Sequence, residues 1–211
     1  MKETKIKICG ITNLEDAKHA ASLGVDALGF NFYKQSPRYI DPEKAGLIIE
    51  ALEFSGLLVG VFVDSSEAQI DEIVSLSGIN AVQYHGDAIG KSREVTTIKA
   101  IRLQEGLNRK LIPALLEVHD YLLIDAFSRN AYGGTGKQIG DDLISDSVTK
   151  TMWERVYLAG GLTPENIADK VEKYDPYAVD VASGVEESPG VKDRAKVEMF
   201  VMAVKRVSGL H

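Results

Sequence analysis

Residues 22–30 read SLGVDALGF, and residues 76–84 read LSGINAVQY. Both run in one order: a helix end, a glycine, a β-branched residue, Asp or Asn, Ala, then a strand. Gly24 and Gly78 suit the left-handed C′ position that closes a helix. Two copies of one helix-to-strand passage, far apart in the chain, read as a βα unit used several times.

Outward from these stretches, short β-rich runs alternate with longer amphipathic segments. The runs predict strands at 5–9, 26–30, 57–63, 80–84, 97–102, 121–125, 156–160 and 178–182. Helices are expected at 13–23, 42–54, 66–77, 108–118, 139–150, 164–173 and 193–207, with only a turn or two at 86–94. Start signals are Asn13 with Asp16, Asp41-Pro42, Ser66 with Gln69, and Thr163-Pro164. Strands alternating with helices in this number predict an α/β fold, a single-domain (β/α)8 TIM barrel over 1–211. The alternative is a doubly wound open sheet. Its dinucleotide-binding version wants G-x-G-x-x-G after the first strand, where this chain reads CGIT (9–12).

The 211 residues carry a net charge of −7, with 45% hydrophobic and 26% charged residues. That is a globular composition, and the negative charge disfavours non-specific nucleic-acid binding. A local cationic patch for a phosphorylated metabolite stays open. One cysteine, Cys9, excludes an internal disulfide and a multi-cysteine zinc site and fits a reducing, cytoplasmic setting. The N-terminus lacks a signal-peptide apolar region, and no run approaches the ~18 apolar residues of a membrane span.

In such a barrel the site lies where strands end. The expected strand ends carry Cys9, Phe30, Asp64, Gln83 and His85, Arg102, Asp125, Gly160-Gly161 and Ser183-Gly184. Alternation puts Lys7 and Cys9 on the barrel face, and Ile6 and Ile8 under the helices. A lone cysteine is often a small buried hydrophobe. A nearby Lys7 ammonium, however, lowers a thiol's pKa and yields thiolate near neutral pH. Asp125 reads either as a turn residue or, from its alternation with Tyr121 and Leu123, as an inward carboxyl. Glycines in the loops after strands seven and eight either make turns or admit a phosphate to backbone N–H groups. The segment RNAYGGTGK (129–137) lacks the full P-loop pattern.

KICGIT, SPRYI, VGVFVD, QYHG, a strand-end Asp followed by GGTG, LAGGLTPENI and DVASGVEESPGVKD occur in this order. Together they resemble the phosphoribosylanthranilate isomerase family of tryptophan synthesis, over about residues 5–205. The resemblance implies an Amadori rearrangement of a phosphoribosylated anthranilate, with no metal and no organic cofactor. It implies Cys9 as general base and Asp125 as general acid. Gly160, Gly161, Ser183 and Gly184 would hold the phosphate, and Arg38 the anthranilate carboxylate. Gly133, Gly134 and Thr135 would close near the substrate. Gln83 and His85 match the family's QLHG, with Tyr84 in place of leucine, and would line the site. Lys7 and Asp180 complete the implied substrate-binding set; alternation turns Asp180 inward, near Lys7 or Cys9.

Two departures stand out. QIGDDL follows GGTGK where relatives carry an aromatic FDW-like stretch, and VASG replaces VSSG. Two competing readings remain: a dual-specificity isomerase that also serves histidine synthesis, and a non-catalytic barrel binding a phosphorylated ligand. The first uses two aspartates, against which Cys9 argues; the second needs neither Cys9 nor Asp125. These readings imply a small phosphosugar as partner, not nucleic acid or membrane, and a chain that is a monomer or homodimer.

Overall fold

The structure is a computed structural model that describes residues 3–86, 94–102, 111–125, 144 and 148–209. Eight strands close into a barrel: β1 (Lys5–Cys9), β2 (Ala27–Asn31), β3 (Leu57–Val63), β4 (Ala81–His85), β5 (Thr96–Arg102), β6 (Tyr121–Asp125), β7 (Val156–Ala159) and β8 (Ala178–Val181). Every pairing is parallel, and β8 returns to β1 with Lys7 opposite Asp180. The open sheet is therefore excluded. The described helices are α1 (Leu14–Ser22), α2 (Pro42–Glu50), α3 (Glu67–Ser77), α4 (Leu111–Val118), α5 (Ile167–Tyr174) and α6 (Arg194–Val207). None of them is long and apolar enough to cross a membrane.

Local chemistry sets these boundaries. Asn13 accepts from the Asp16 N–H, and Asp41 accepts from Glu43 and Lys44 ahead of a first-turn proline. Ser66 and Gln69 form a reciprocal capping box. Gly24 and Gly78 have φ of 69° and 71°, the left-handed helix closure read from the repeat. Thr163-Pro164 is the exception. The Asn166 side chain turns back to accept from the Thr163 N–H, so a turn comes first and α5 begins only at Ile167.

The strands divide two cores. Ile6 and Ile8 face outward into the larger cluster, with helix residues such as Ala17 and Phe200. Ala27, Val59, Ala81, Ile98, Leu123 and Tyr157 fill the barrel itself. Its N-terminal end carries three tyrosines: Tyr121 stacks on Tyr177 at 4.5 Å and meets Tyr157 edge-on at 5.6 Å.

One element was not anticipated. After β8 and a short turn (Ser183–Val185), β9 (Glu186–Ser188) and β10 (Val191–Lys192) form an antiparallel hairpin. It is stitched to the β1 loop and the first turn of α1: Thr12 donates to the Gly190 carbonyl, and the Lys192 N–H donates to Asp16. The hairpin thereby lies over the end of β1, where Cys9 sits.

Candidate active site

Cys9, Arg38, Gln83, His85, Asp125, Gly160, Gly161, Asp180, Ser183 and Gly184 line one cavity of about 540 Å³ at the C-terminal mouth. Asn31, His85, Arg102 and Asp125 also border an adjoining space of about 840 Å³. Gly133, Gly134 and Thr135 lie outside the described residues, as do the QIGDDL stretch and nearly all of the helix expected at 139–150.

Lys7 is fully buried inside the barrel, its Nζ 2.9 Å from Asp180 Oδ1. Burial alone would disfavour the ammonium, but Asp180 and Cys9 hold its pKa above the ordinary lysine value. At Cys9 the balance tips the other way. Burial pushes the thiol up; Lys7 and Lys192 pull it down, and Asp180 opposes them. The net shift is upward. The expectation of a thiolate poised by Lys7 alone is therefore corrected: Asp180 already engages the Lys7 charge, leaving too little to offset desolvation. Gly29 faces Cys9 on β2, and a Cβ there would fall 2.7 Å from the thiol sulfur.

Arg38 is neither loose nor solvent-facing. Its Nε donates to both Glu186 oxygens at 2.8 and 3.1 Å, and its Nη2 donates to Oε2 at 2.6 Å. Lys192 Nζ reaches the same carboxylate at 2.9 Å and the Cys9 carbonyl at 2.6 Å. Burial would raise the Glu186 carboxyl, but its bonds to Arg38 and the charge of Lys192 hold it below the usual range. Gly10, at φ 81°, gives the Arg38 stem room: a Cβ there would meet its Cδ at 2.7 Å.

On β4, Gln83 is buried and its Nε2 lies 2.7 Å from His85 Nε2. Burial first, and then the cations Lys7, Lys99 and Arg102, push His85 down to about 4. The imidazole is thus neutral near pH 7 and accepts the Gln83 N–H. Gln83 Oε1 has no hydrogen-bond partner among the described residues, although it is buried.

The loops after β7 and β8 meet closely. Gly160 and Gly161 have φ of 92° and 63°, and a Cβ on Gly184 would lie 1.8 Å from the Leu162 carbonyl oxygen. Any side chain at Gly184 would force the two loops apart. Both loops border the cavity that holds Cys9.

Sequence reasoning missed Glu186, Lys192 and Gly29. A signal for the first two was present in EESPGVK (186–192), where Ser-Pro-Gly between polar runs is a hairpin turn that brings Glu186 back over Lys192.

The chain as a whole is similar to known proteins. The family model for N-(5'-phosphoribosyl)anthranilate (PRA) isomerase matches residues 6–203. The N-(5'-phosphoribosyl)anthranilate isomerase of Geobacter sp. (strain M21) is 44% identical, covering 97% of this chain and 100% of that protein. The crystal structure of phosphoribosyl anthranilate isomerase from Thermotoga maritima is 36% identical, with a TM-score of 0.80 over 98% of this chain and 100% of the other. A phosphoribosyl anthranilate isomerase in complex with reduced 1-(o-carboxyphenylamino)-1-deoxyribulose 5-phosphate is 34% identical, with a TM-score of 0.78 over the same shares.

Proposed function

Since the chain belongs to the phosphoribosylanthranilate isomerase family, we propose that its mouth cavity converts N-(5-phosphoribosyl)anthranilate to 1-(2-carboxyphenylamino)-1-deoxyribulose 5-phosphate, with Cys9 as base and Asp125 as acid. The observation that carries this reading is that Cys9, Asp125, Arg38 and both glycine loops border a single cavity.

The chemistry assigns the roles. Asp125 gives a proton to the furanose ring oxygen while the anilino nitrogen pushes its lone pair to C1; the ring C–O bond breaks and an iminium forms. Cys9 removes the C2 proton beside that iminium, leaving an enolamine. A proton then reaches C1 as the C2 hydroxyl loses its own, and the ketone results. No atom is gained or lost. Each positioned acid or base contributes roughly 10²–10⁴-fold.

Burial keeps the Cys9 thiol protonated in the free site, so the thiolate forms with substrate in place. The iminium supplies a positive charge beside the sulfur at the step that needs a base, and an adjacent cation favours thiolate. Gly160, Gly161, Ser183 and Gly184 take the phosphate, and Arg38 takes the anthranilate carboxylate. Gln83 and His85 line the site.

The test is turnover. Purified protein mixed with phosphoribosylanthranilate generated in situ should consume its fluorescence, and the amino-ketose should form in equal amount. Fluorescence stable at substrate saturation would sink the proposal.

A further inference from the structure

Resting on that reading of Arg38, we propose that Glu186 is a positioning residue that turns one edge of the Arg38 guanidinium toward the substrate carboxylate and sets the enzyme's selectivity for carboxylated aryl amines. A guanidinium has two forked edges that can meet a carboxylate. Glu186 occupies the Nε–Nη2 edge through three contacts of 2.6 to 3.1 Å. Among the described residues no group takes Nη1, so the Nη1–Nη2 edge remains for a ligand. Arg38 borders the same cavity as Cys9.

Burial gives a second argument. Arg38 and Lys192 share the carboxylate of Glu186, which is 4% exposed at its side chain, and Lys192 is 1% exposed. Lys192 thus pins the carboxylate, and the carboxylate fixes the plane of the Arg38 guanidinium at the cavity wall. A substrate carboxylate can meet the edge so fixed; an aryl amine without that group cannot.

Position gives a third. Glu186 begins β9 of the hairpin stitched to the β1 loop, and Lys192 on β10 holds both Glu186 and the Cys9 carbonyl. The group that aims Arg38 and the backbone that carries the thiol thus share one brace, which fixes the aryl end of the substrate relative to the base.

The test compares two substrates made in situ: phosphoribosylated anthranilate and phosphoribosylated aniline, which lacks the carboxylate. The readout is the ratio of their kcat/KM values. Glu186→Gln should lower that ratio about 10- to 100-fold, mainly through KM for the carboxylated substrate. Arg38→Ala should lower it at least as far, and adding Glu186→Gln to Arg38→Ala should lower it no further. If Glu186→Gln slows both substrates equally, Glu186 only supports the fold and the proposal is overturned. If Arg38→Ala leaves the ratio intact, the carboxylate grip itself is wrong, and the positioning role falls with it. Should Glu186→Gln not fold, Glu186→Asp keeps the charge but is one methylene too short for both nitrogens. A partial fall in the ratio supports the proposal there, and an unchanged ratio overturns it.

Discussion

At the C-terminal end of the strands the barrel carries Lys7 against Asp180, Arg38 and Lys192 against Glu186, and a lone thiol. At the N-terminal end it carries Tyr121, Tyr157 and Tyr177, stacked and edge-on. Glycines differ in the same sense. Gly78 closes α3 at the N-terminal end, and a Cβ there would find its nearest neighbour at 3.9 Å; only its positive φ demands glycine. At the mouth, a Cβ on Gly184 would collide with the Leu162 carbonyl. One end is shaped by the backbone path, the other by what must come close. Charge, contact and cavity gather at the mouth, where the geometry is over-determined; the opposite end needs only to stay filled.

The largest effect expected from this contrast lies at Lys7, the one fully buried charge inside the barrel among the described residues. Lys7→Met leaves the Asp180 carboxylate buried without its partner, which destabilises a fold by about 3–5 kcal/mol. Asp180 still borders the cavity, so about 3 kcal/mol is expected, read as a fall in the denaturation midpoint. The pH dependence has a definite sign. Lys7's folded pKa is raised, so its contribution is complete below the unfolded lysine value of ~10.4 and fades as pH climbs through the folded one. Wild-type stability should thus drop on the alkaline side, and that drop should be smaller in Lys7→Met. The same variant removes a charge that lowers the Cys9 thiol, so alkylation of Cys9 at pH 8 should slow. Faster alkylation would mean that Lys7 does not act on the sulfur.

Next in size is Cys9 itself. Cys9→Ala should lower kcat by ~10² or more with little change in KM, because the base role proposed for the thiol is exercised only in the transition state. In the wild type, kcat/KM should rise with pH through the thiol ionisation, at an apparent value above the ordinary ~8.5, since burial raises the free thiol. Near-normal kcat in the alanine variant would remove the sulfur from the mechanism.

Most of the barrel was legible because its signals are local. Alternation in KIKIC placed Lys7 and Cys9 inward, and Ile6 and Ile8 against the helices. Caps at Asn13, Asp41 and Ser66 marked helix starts within a residue. Thr163 misled, since Asn166 competed for the same turn. The site was legible as a set of strand ends but not as an electrostatic balance. Alternation on two strands anticipated Asp180 near Lys7 or Cys9, and barrel closure sets its Oδ1 2.9 Å from Lys7 Nζ across 173 residues. The Arg38–Glu186 pair spans 148 residues, and no alternation pattern encodes it. The thiol's pKa follows from burial and those pairings, so a local reading could place the thiol at the mouth and still misjudge its resting charge.

The smallest effect belongs at the tyrosine end. Tyr121 donates its O–H to the Tyr177 hydroxyl at 3.1 Å, and the two rings are stacked at 4.5 Å. Tyr121→Phe removes one neutral hydrogen bond that is only partly buried, a net loss of ~0.5–1.5 kcal/mol. A small, parallel shift of the denaturation curve is expected, with kcat and KM unchanged because no charge or contact of the mouth depends on this hydroxyl. The comparison between the two ends rests on that separation. A kinetic effect from Tyr121→Phe as large as its stability effect would show that packing at the closed end is transmitted along β6 to Asp125, four residues away on the same face of one strand. The two ends would then have to be treated as one coupled unit.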